Sequence, residues 1–462
     1  MTGRRHSSSS RPIRPSSPLR PSHSVKSVKA AAITSVAVLA AGAAVLAGCG
    51  SLSGAARTAD PIVVMTMAPE GTKATNMPGM PAMAQAYARW INSRGGLGGR
   101  ELRVIRCNDR NESVNAGRCA RRAVAENVVA VVGSYSQHGR SFMPQLEASG
   151  IPYIGGYGIA DEEFNSPLSY PVNGGVATLL AGNGRQLAKS CDQVSLVRPD
   201  TIAGDQMPSL MNAGLEQAHR KAAHDVRAPE DATDYTPQAE RALSRAGADP
   251  ALLGTAEYTA TSGGACVTAA LGDRTDSFFD SFRRIQGDKE KVTIASVLGS
   301  VQQSLVTRTG GKSSPLEGAY VTGWYPAASD PRWAPMRKVI NEHAFGDNRI
   351  DPADPGVQTT WIAYTVLRSA IESLDGGEVT ARSVRRALDG GLGTGGVDTG
   401  GLTPKLSWRY EDMLAVRGFP RITNARVTYQ VVRDGRLVPV GSGSVDVART
   451  LEERAEVGEY GG

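Results

Sequence analysis

The sequence predicts an α/β protein of two doubly wound lobes joined by three hinge crossings. Three observations carry this expectation. The chain has 462 residues, more than one core holds and natural for two lobes with extras. Short apolar runs alternate along it with segments of helical period. One stretch, Val128–Gly158, spells out a complete strand–helix–strand unit. Its runs Val128–Val132 and Ile151–Ile154 suit strands buried on both faces. Between them Phe142, Met143 and Leu146 share one helical side, and Gly150 supplies the stop. Such a unit implies a parallel sheet.

Taken in order, Pro61–Met67 is fit for a first strand, followed by a loop over Thr66–Gly79. Met83, Tyr87, Trp90 and Ile91 fall at helical spacing, predicting a helix to about Ser93 that Gly95–Gly99 ends. Leu102–Arg106 is the next strand. Ser113 is placed to cap a helix running to about Glu126. With Val128–Ile154 the order is β-α-β-α-β-α-β. A first crossing is expected at Tyr170–Gly175. Beyond it Val194–Val197, Ala265–Leu271, Val292–Val297 and Gly318–Gly323 suit strands. Asp205–Arg220 suits a helix with Met207, Leu210, Met211 and Leu215 inward, and Ala228–Gly254 is expected to be loop around a short helix. Gly323–Pro326 is the expected return crossing. Thr359–Leu374 and Ala381–Leu388 suit helices, and Leu402-Thr403-Pro404 the third crossing. Val427–Val432 and Arg436–Val440, joined by Asp434-Gly435, predict a hairpin. The expected division is lobe 1 over 61–173 and 325–403, lobe 2 over 174–324 and 404–447, and a disordered tail over 448–462.

The formal charge of +6 misleads. Seven of the 51 basic residues precede position 49, and no acid does; without that segment 44 basic residues face 45 acidic ones, a net of −1. A nucleic-acid partner, which needs a basic stripe, loses its support.

Residues 1–29 are rich in Ser, Pro and Arg, and Ala30–Gly48 is an uncharged run of small apolar residues. Together they predict a secretory signal over 1–48. Leu46-Ala47-Gly48-Cys49 resembles the lipobox of bacterial lipoproteins. The resemblance implies that Cys49 is acylated and that 49–60 is a tether; an uncleaved membrane anchor is the alternative. Either way the body lies outside the cytoplasm. Cys107, Cys119, Cys191 and Cys266 remain, and four cysteines allow three connectivities. Cys107 ends a strand and Cys119 sits on the next helix, while Cys191 and Cys266 each open an apolar run. Cys107–Cys119 and Cys191–Cys266 are the expected pairs, with free buried thiols less suited to an oxidising space.

Enzyme signatures are absent: neither His-Glu-x-x-His nor Gly-x-Ser-x-Gly occurs. Gly311-Lys312-Ser313 lacks the earlier glycine of a phosphate loop, and Gly391–Gly396 fits Gly-x-Gly-x-x-Gly but follows a helix. His138 is expected to be an exposed loop histidine and Glu162-Glu163 a solvated helix start. No catalytic group, cofactor or metal is expected.

The ordered series INSRGGLGGRELRVI, CNDR, NVVAVVGSYS and GIPYIG resembles the type I periplasmic-binding-protein fold, whose lobes are Rossmann-like. It is closest to the branched-chain amino-acid-binding solute receptors of ABC importers, over about Pro61 to Val447. The resemblance implies a cleft at the strand carboxyl ends, between Gly133–Gln137 and Gly155–Gly158. There Ser134, Tyr135, Ser136 and Gln137 would meet a ligand carboxylate with hydroxyl and N–H groups. Gly156, Tyr157 and Gly158 stand where the family usually reads Ser-Pro-Ala-Ala/Thr. The second-lobe acid that pairs a ligand ammonium is missing from the run around Ser296, and Asp205 is the candidate substitute. Trp324 and Tyr325 suit either the cleft or an inter-lobe core. The implied function is a lipid-anchored, monomeric solute receptor of an ABC importer. It would take a small polar solute (amino acid, amide or related) and hand it to permease subunits. A sensing or signalling lipoprotein of the same fold, without transport, is the alternative.

Overall fold

The computed structural model describes residues 60–73, 75–248, 264–286, 292–297, 299–393 and 395–453. The leader, Cys49 and residues 50–59 lie outside these, as do residues 454–462.

The first sheet holds β1 (Ile62–Met67), β2 (Leu102–Cys107), β3 (Ala130–Val132), β4 (Tyr153–Ile154) and β5 (Ser169–Tyr170). All pairs are parallel, in the order β2-β1-β3-β4-β5. The chain therefore winds outward in both directions from β1, leaving a crevice at the carboxyl ends of β1 and β3. The second sheet holds β6 (Gln193–Pro199), β7 (His224–Ala228), β8 (Ala265–Ala269), β9 (Thr293–Val297), β10 (Tyr320–Gly323), β11 (Arg426–Arg433) and β12 (Arg436–Asp446). Its order is β12-β11-β10-β9-β8-β6-β7, parallel from β7 to β10 and closed by the antiparallel hairpin.

Alternate residues of each strand feed opposite faces. On one face of the first sheet Phe142, Met143 and Leu146 pack with Cys119 and Tyr153. On the other, Met83, Tyr87 and Ile91 of helix Gly79–Asn92 meet Trp361, Tyr364 and Leu367 of helix Pro355–Glu372. The outer face of the second sheet is filled by Tyr235, Phe278, Phe279 and Phe282. Its inner face, under Leu179, Leu180, Met211 and Leu215, joins the first-lobe core in one continuous cluster.

The waist is laced by hydrogen bonds between the passing chains. Trp408 Nε1 donates to Pro171 O at 3.0 Å, Asn424 Nδ2 to Val172 O at 3.1 Å, and Thr428 Oγ1 to Tyr325 O at 2.8 Å. The third crossing was expected at Leu402–Pro404, but the chain stays on first-lobe residues well past it. Phe419 packs on Phe164 with centroids 5.6 Å apart, and Arg421 Nε donates to Ser169 O at 2.9 Å. The chain enters the second sheet only at Arg426. Two large side chains, Trp408 and Phe419, need first-lobe cover, which the glycine- and proline-rich run did not reveal.

Smaller differences have equally local causes. Ser113 is the first helical residue rather than its cap, and Glu112 precedes it with no side-chain cap bond. The expected disordered tail begins with a helix, Ala448–Glu452, because Leu451 and Thr450 are buried.

The cysteines join Cys107 to Cys119 and Cys191 to Cys266, the second closing 75 residues against 12. In the chain-entropy picture the short loop contributes about 3 kcal/mol and the long one about 4.5. Replacing Cys191 and Cys266 with Ala should therefore lower urea-unfolding stability more than replacing Cys107 and Cys119. An equal or reversed ranking would show that native-state strain outweighs loop closure.

Candidate ligand-binding cleft

The carboxyl ends of both sheets converge on a cavity of about 80 Å³. The first lobe lines it with Thr75, Met77, Tyr135, Gln137, Tyr157 and Ile159. The second contributes Pro199, Met207, Glu230, Leu271, Val297 and Ser300, with Leu179 and Leu180 of helix Gly175–Leu187 at its floor. The lobes touch around it. Gln206 Nε2 donates to the Asp161 carboxylate at 2.9 Å, and the Arg274 guanidinium donates to Lys73 O. The Tyr157 hydroxyl reaches across to Gly299. A Cβ there would lie 2.1 Å from that oxygen, and its φ of +99° also suits only glycine.

Of the residues singled out from sequence, Tyr135, Gln137 and Tyr157 line this cavity. The two rings meet edge to face, centroids 5.1 Å apart, and Trp324 packs on the Tyr157 ring at 5.1 Å. Trp324 Nε1 donates to Gly175 O, and the Tyr325 hydroxyl bonds Thr359 and accepts from Asn173. Both therefore belong to the inter-lobe core behind the cleft.

The serines are turned away. Ser136 is buried and its Oγ donates to Asp109 Oδ2 at 2.6 Å. Ser134 Oγ accepts from Met67 N, and Ser296 Oγ donates to Ala269 O. Asp205 pairs with the buried Arg198 at 2.9 Å, which Asp225 also holds. Asp205 is no substitute for a ligand-pairing acid, because its charge is already spent on that guanidinium.

Several of the loop amides expected to face a ligand are also occupied. Tyr135 N donates to Met67 O and Tyr157 N to Ser134 O, both at 2.9 Å. Gly158 N, Ile159 N and Ala160 N all donate to Glu163, each at 3.0 Å. What approaches the glycines is therefore the protein itself. A Cβ on Gly156 would lie 1.8 Å from Glu163 Oε2, and one on Gly158 2.6 Å from Gly175 Cα.

Glu163, expected to be solvated, is 1% exposed. Burial pushes its carboxyl up to about 7, against the three N–H donors that favour the charged form. Glu162 remains outside, paired with Arg140. His138 is half-buried rather than exposed, and its Nε2 is buried with no partner among the described residues.

Glu230 was missed. It follows β7, whose HDVRA run alternates exposed and buried residues and lacks a strong apolar signal. Had β7 been recognised, the strand-end rule would have pointed to it. Burial raises its carboxyl while a hydrogen bond from Gln137 opposes the shift. A larger hollow of about 610 Å³ lies at the waist, along residues 324–332, 401–404 and the hairpin. Of its charged residues, Asp330 and Arg332 pair with each other and Arg426 donates to Ser444 Oγ at 3.3 Å. Among the described residues no His, Cys, Asp and Glu cluster forms a metal site, and no helix is long and apolar enough to cross a membrane.

Two parallel α/β lobes with a cavity between their strand ends define a two-lobed binding protein. The chain belongs to the periplasmic binding protein family, whose profile matches residues 63–416. That family consists of extracytoplasmic solute-binding proteins, not enzymes. Solved structures agree on the fold. A possible leucine/isoleucine/valine-binding protein from Rhodopirellula baltica is 14% identical, with TM-score 0.67, over 83% of this chain and 97% of that one. A branched-chain amino-acid ABC transporter protein from Thermus thermophilus, with bound valine, is 16% identical, with TM-score 0.65, over 85% and 97%. A fatty-acid ABC transporter substrate-binding protein from Thermomonospora curvata is 15% identical, with TM-score 0.65, over 87% and 96%. No curated protein sequence matches the chain.

The raised Glu163 carboxyl fixes a pH dependence. It binds a proton more readily folded than unfolded, where its ordinary value is 4.5. Its contribution is thus fully present below about 4.5 and is lost as pH climbs through about 7, on the order of 3 kcal/mol. Chemical denaturation across pH 4–8 should show wild type losing stability relative to Glu163→Gln over that window. Parallel curves would mean that the carboxyl takes up its proton alike in the folded and unfolded chain.

Proposed function

We propose that this protein is the lipid-anchored solute receptor of an ABC-type importer, holding its solute in the cavity between the lobes. The observation that carries this is that both lobes line that one cavity. A solute there bonds both halves at once and so favours the closed arrangement over an open one. The relatives named above include ABC transporter proteins from two bacteria, which supports a permease as the partner. The lipobox-like Leu46-Ala47-Gly48-Cys49 supports an anchor at Cys49.

The lining narrows the solute. Met77, Ile159, Leu179, Leu180, Met207 and Val297 offer apolar surface, with few polar atoms among them. This favours an apolar body with one polar end within the small polar solutes (amino acid, amide or related) expected from sequence. The cavity has room for on the order of half a dozen non-hydrogen atoms at about 12 Å³ per water-sized position.

Binding should compact the purified protein in small-angle X-ray scattering and raise its melting temperature by mass action. Tyr157→Ala removes the ring that spans the cleft and should weaken binding at least tenfold; an unchanged affinity would place the solute elsewhere. For the anchor, Cys49→Ala should move the protein from the membrane fraction to the supernatant of fractionated cells. Retention on the membrane would argue for an uncleaved span instead.

A further inference from the structure

The polar chemistry of the cleft is one-sided. Among the described residues Glu230 is the only charged side chain lining the cavity, and neither Lys nor Arg lines it. Gln137 turns its amide donor to Glu230. A second carboxylate, Asp109, is buried outside the lining and accepts a hydrogen bond from the Ser136 hydroxyl at 2.6 Å. The amides of Tyr135, Tyr157 and Gly158–Ala160 are committed to Met67 O, Ser134 O and Glu163. A carboxylate guest would therefore meet the Glu230 carboxylate, with no Lys or Arg among the described lining residues to pair with it. That is a desolvated like-charge placement. A cation meets the opposite conditions. It finds the Glu230 carboxylate and the Tyr135 and Tyr157 rings in the same lining, and aromatic rings attract positive charge.

Resting on the receptor reading above, we propose that the solute is a small organic cation, an alkylammonium without a carboxylate, its charge held by Glu230 and the Tyr135–Tyr157 pair. The apolar floor of Leu179, Leu180 and Val297 takes its alkyl part. His138 lies in the field of this carboxylate.

The test uses four compounds in isothermal titration of the purified protein: 2-methylpropylamine, tetramethylammonium, valine and 2-methylpropanoate. The expected result is saturable binding of at least one of the two cations, with valine and 2-methylpropanoate at least tenfold weaker. Glu230→Gln, checked for an unchanged melting temperature, should weaken the cation at least tenfold. The proposal is overturned if valine or 2-methylpropanoate binds as tightly as the cations, or if Glu230→Gln keeps cation affinity. Silence from both cations overturns it as well. The receptor reading outlives any of these results if some other solute still compacts the protein in scattering, and fails only if none does.

Discussion

The carboxylate of Glu163 holds the cleft in shape. It sits in the protein interior and takes the amide hydrogens of Gly158, Ile159 and Ala160. Without it three buried donors would lack acceptors, at about 1–3 kcal/mol each. That wrapping sets the course of the loop from Gly155 to Ala160, and the loop carries Tyr157. The ring of Tyr157 then touches Tyr135 on its own lobe, Trp324 at the waist and, through its hydroxyl, Gly299 on the other lobe. One buried acid thus positions the side chain on which both halves meet. A short polar helix start, Glu162–Asn165, delivers it, with its neighbour Glu162 left outside as the ordinary surface residue.

From Tyr157 the contacts run backward without a break. Trp324 stacks edge-on against it and bonds Gly175 O, the residue that opens helix Gly175–Leu187. Tyr325 follows, tied to Asn173 on the first crossing and Thr359 on the long first-lobe helix. The hinge is therefore packed with aromatic rings rather than built from loose glycines. The main apolar cluster accordingly runs through both lobes.

Much of the architecture was legible because its central strands are solid apolar runs. Ala130-Val131-Val132 cannot be anything but sheet interior, and the run from Gly318 to Gly323 is flanked by its own turn residues. The misses have a common cause. β7 and the segment after Pro404 are organised by tertiary contacts, Val226 against the Phe278 core and Phe419 against Phe164, not by local pattern. In the cleft the loops singled out from sequence line the cavity through Tyr135, Gln137 and Tyr157, while the Ser134 and Ser136 hydroxyls bond within the protein. Ser136, Gly156 and Gly158 lie where strand-end geometry puts them. Nothing in their spacing announces that Asp109 and Glu163 have already claimed the hydroxyl and the loop amides. Side-chain-to-side-chain bonds across twenty-seven residues, as between Ser136 and Asp109, have no sequence period to betray them.

The frame is shared with solved solute-binding proteins that are only 14–16% identical to this chain. A two-lobed scaffold fixes where a guest sits, since strand ends and helix starts are dictated by the winding of the sheet. It does not fix which charge is welcome. That depends on what occupies the donors before any guest arrives. Here internal carboxylates occupy them, and the one acid left facing the cavity, Glu230, comes from the end of a strand at the margin of the second sheet. An edge strand tolerates polar and variable residues better than a central one, because only one side of its ladder must be satisfied. A specificity-setting group placed there can change without disturbing the core beneath it. The apolar floor and the aromatic waist have no such freedom, as each of their residues is packed from several directions at once.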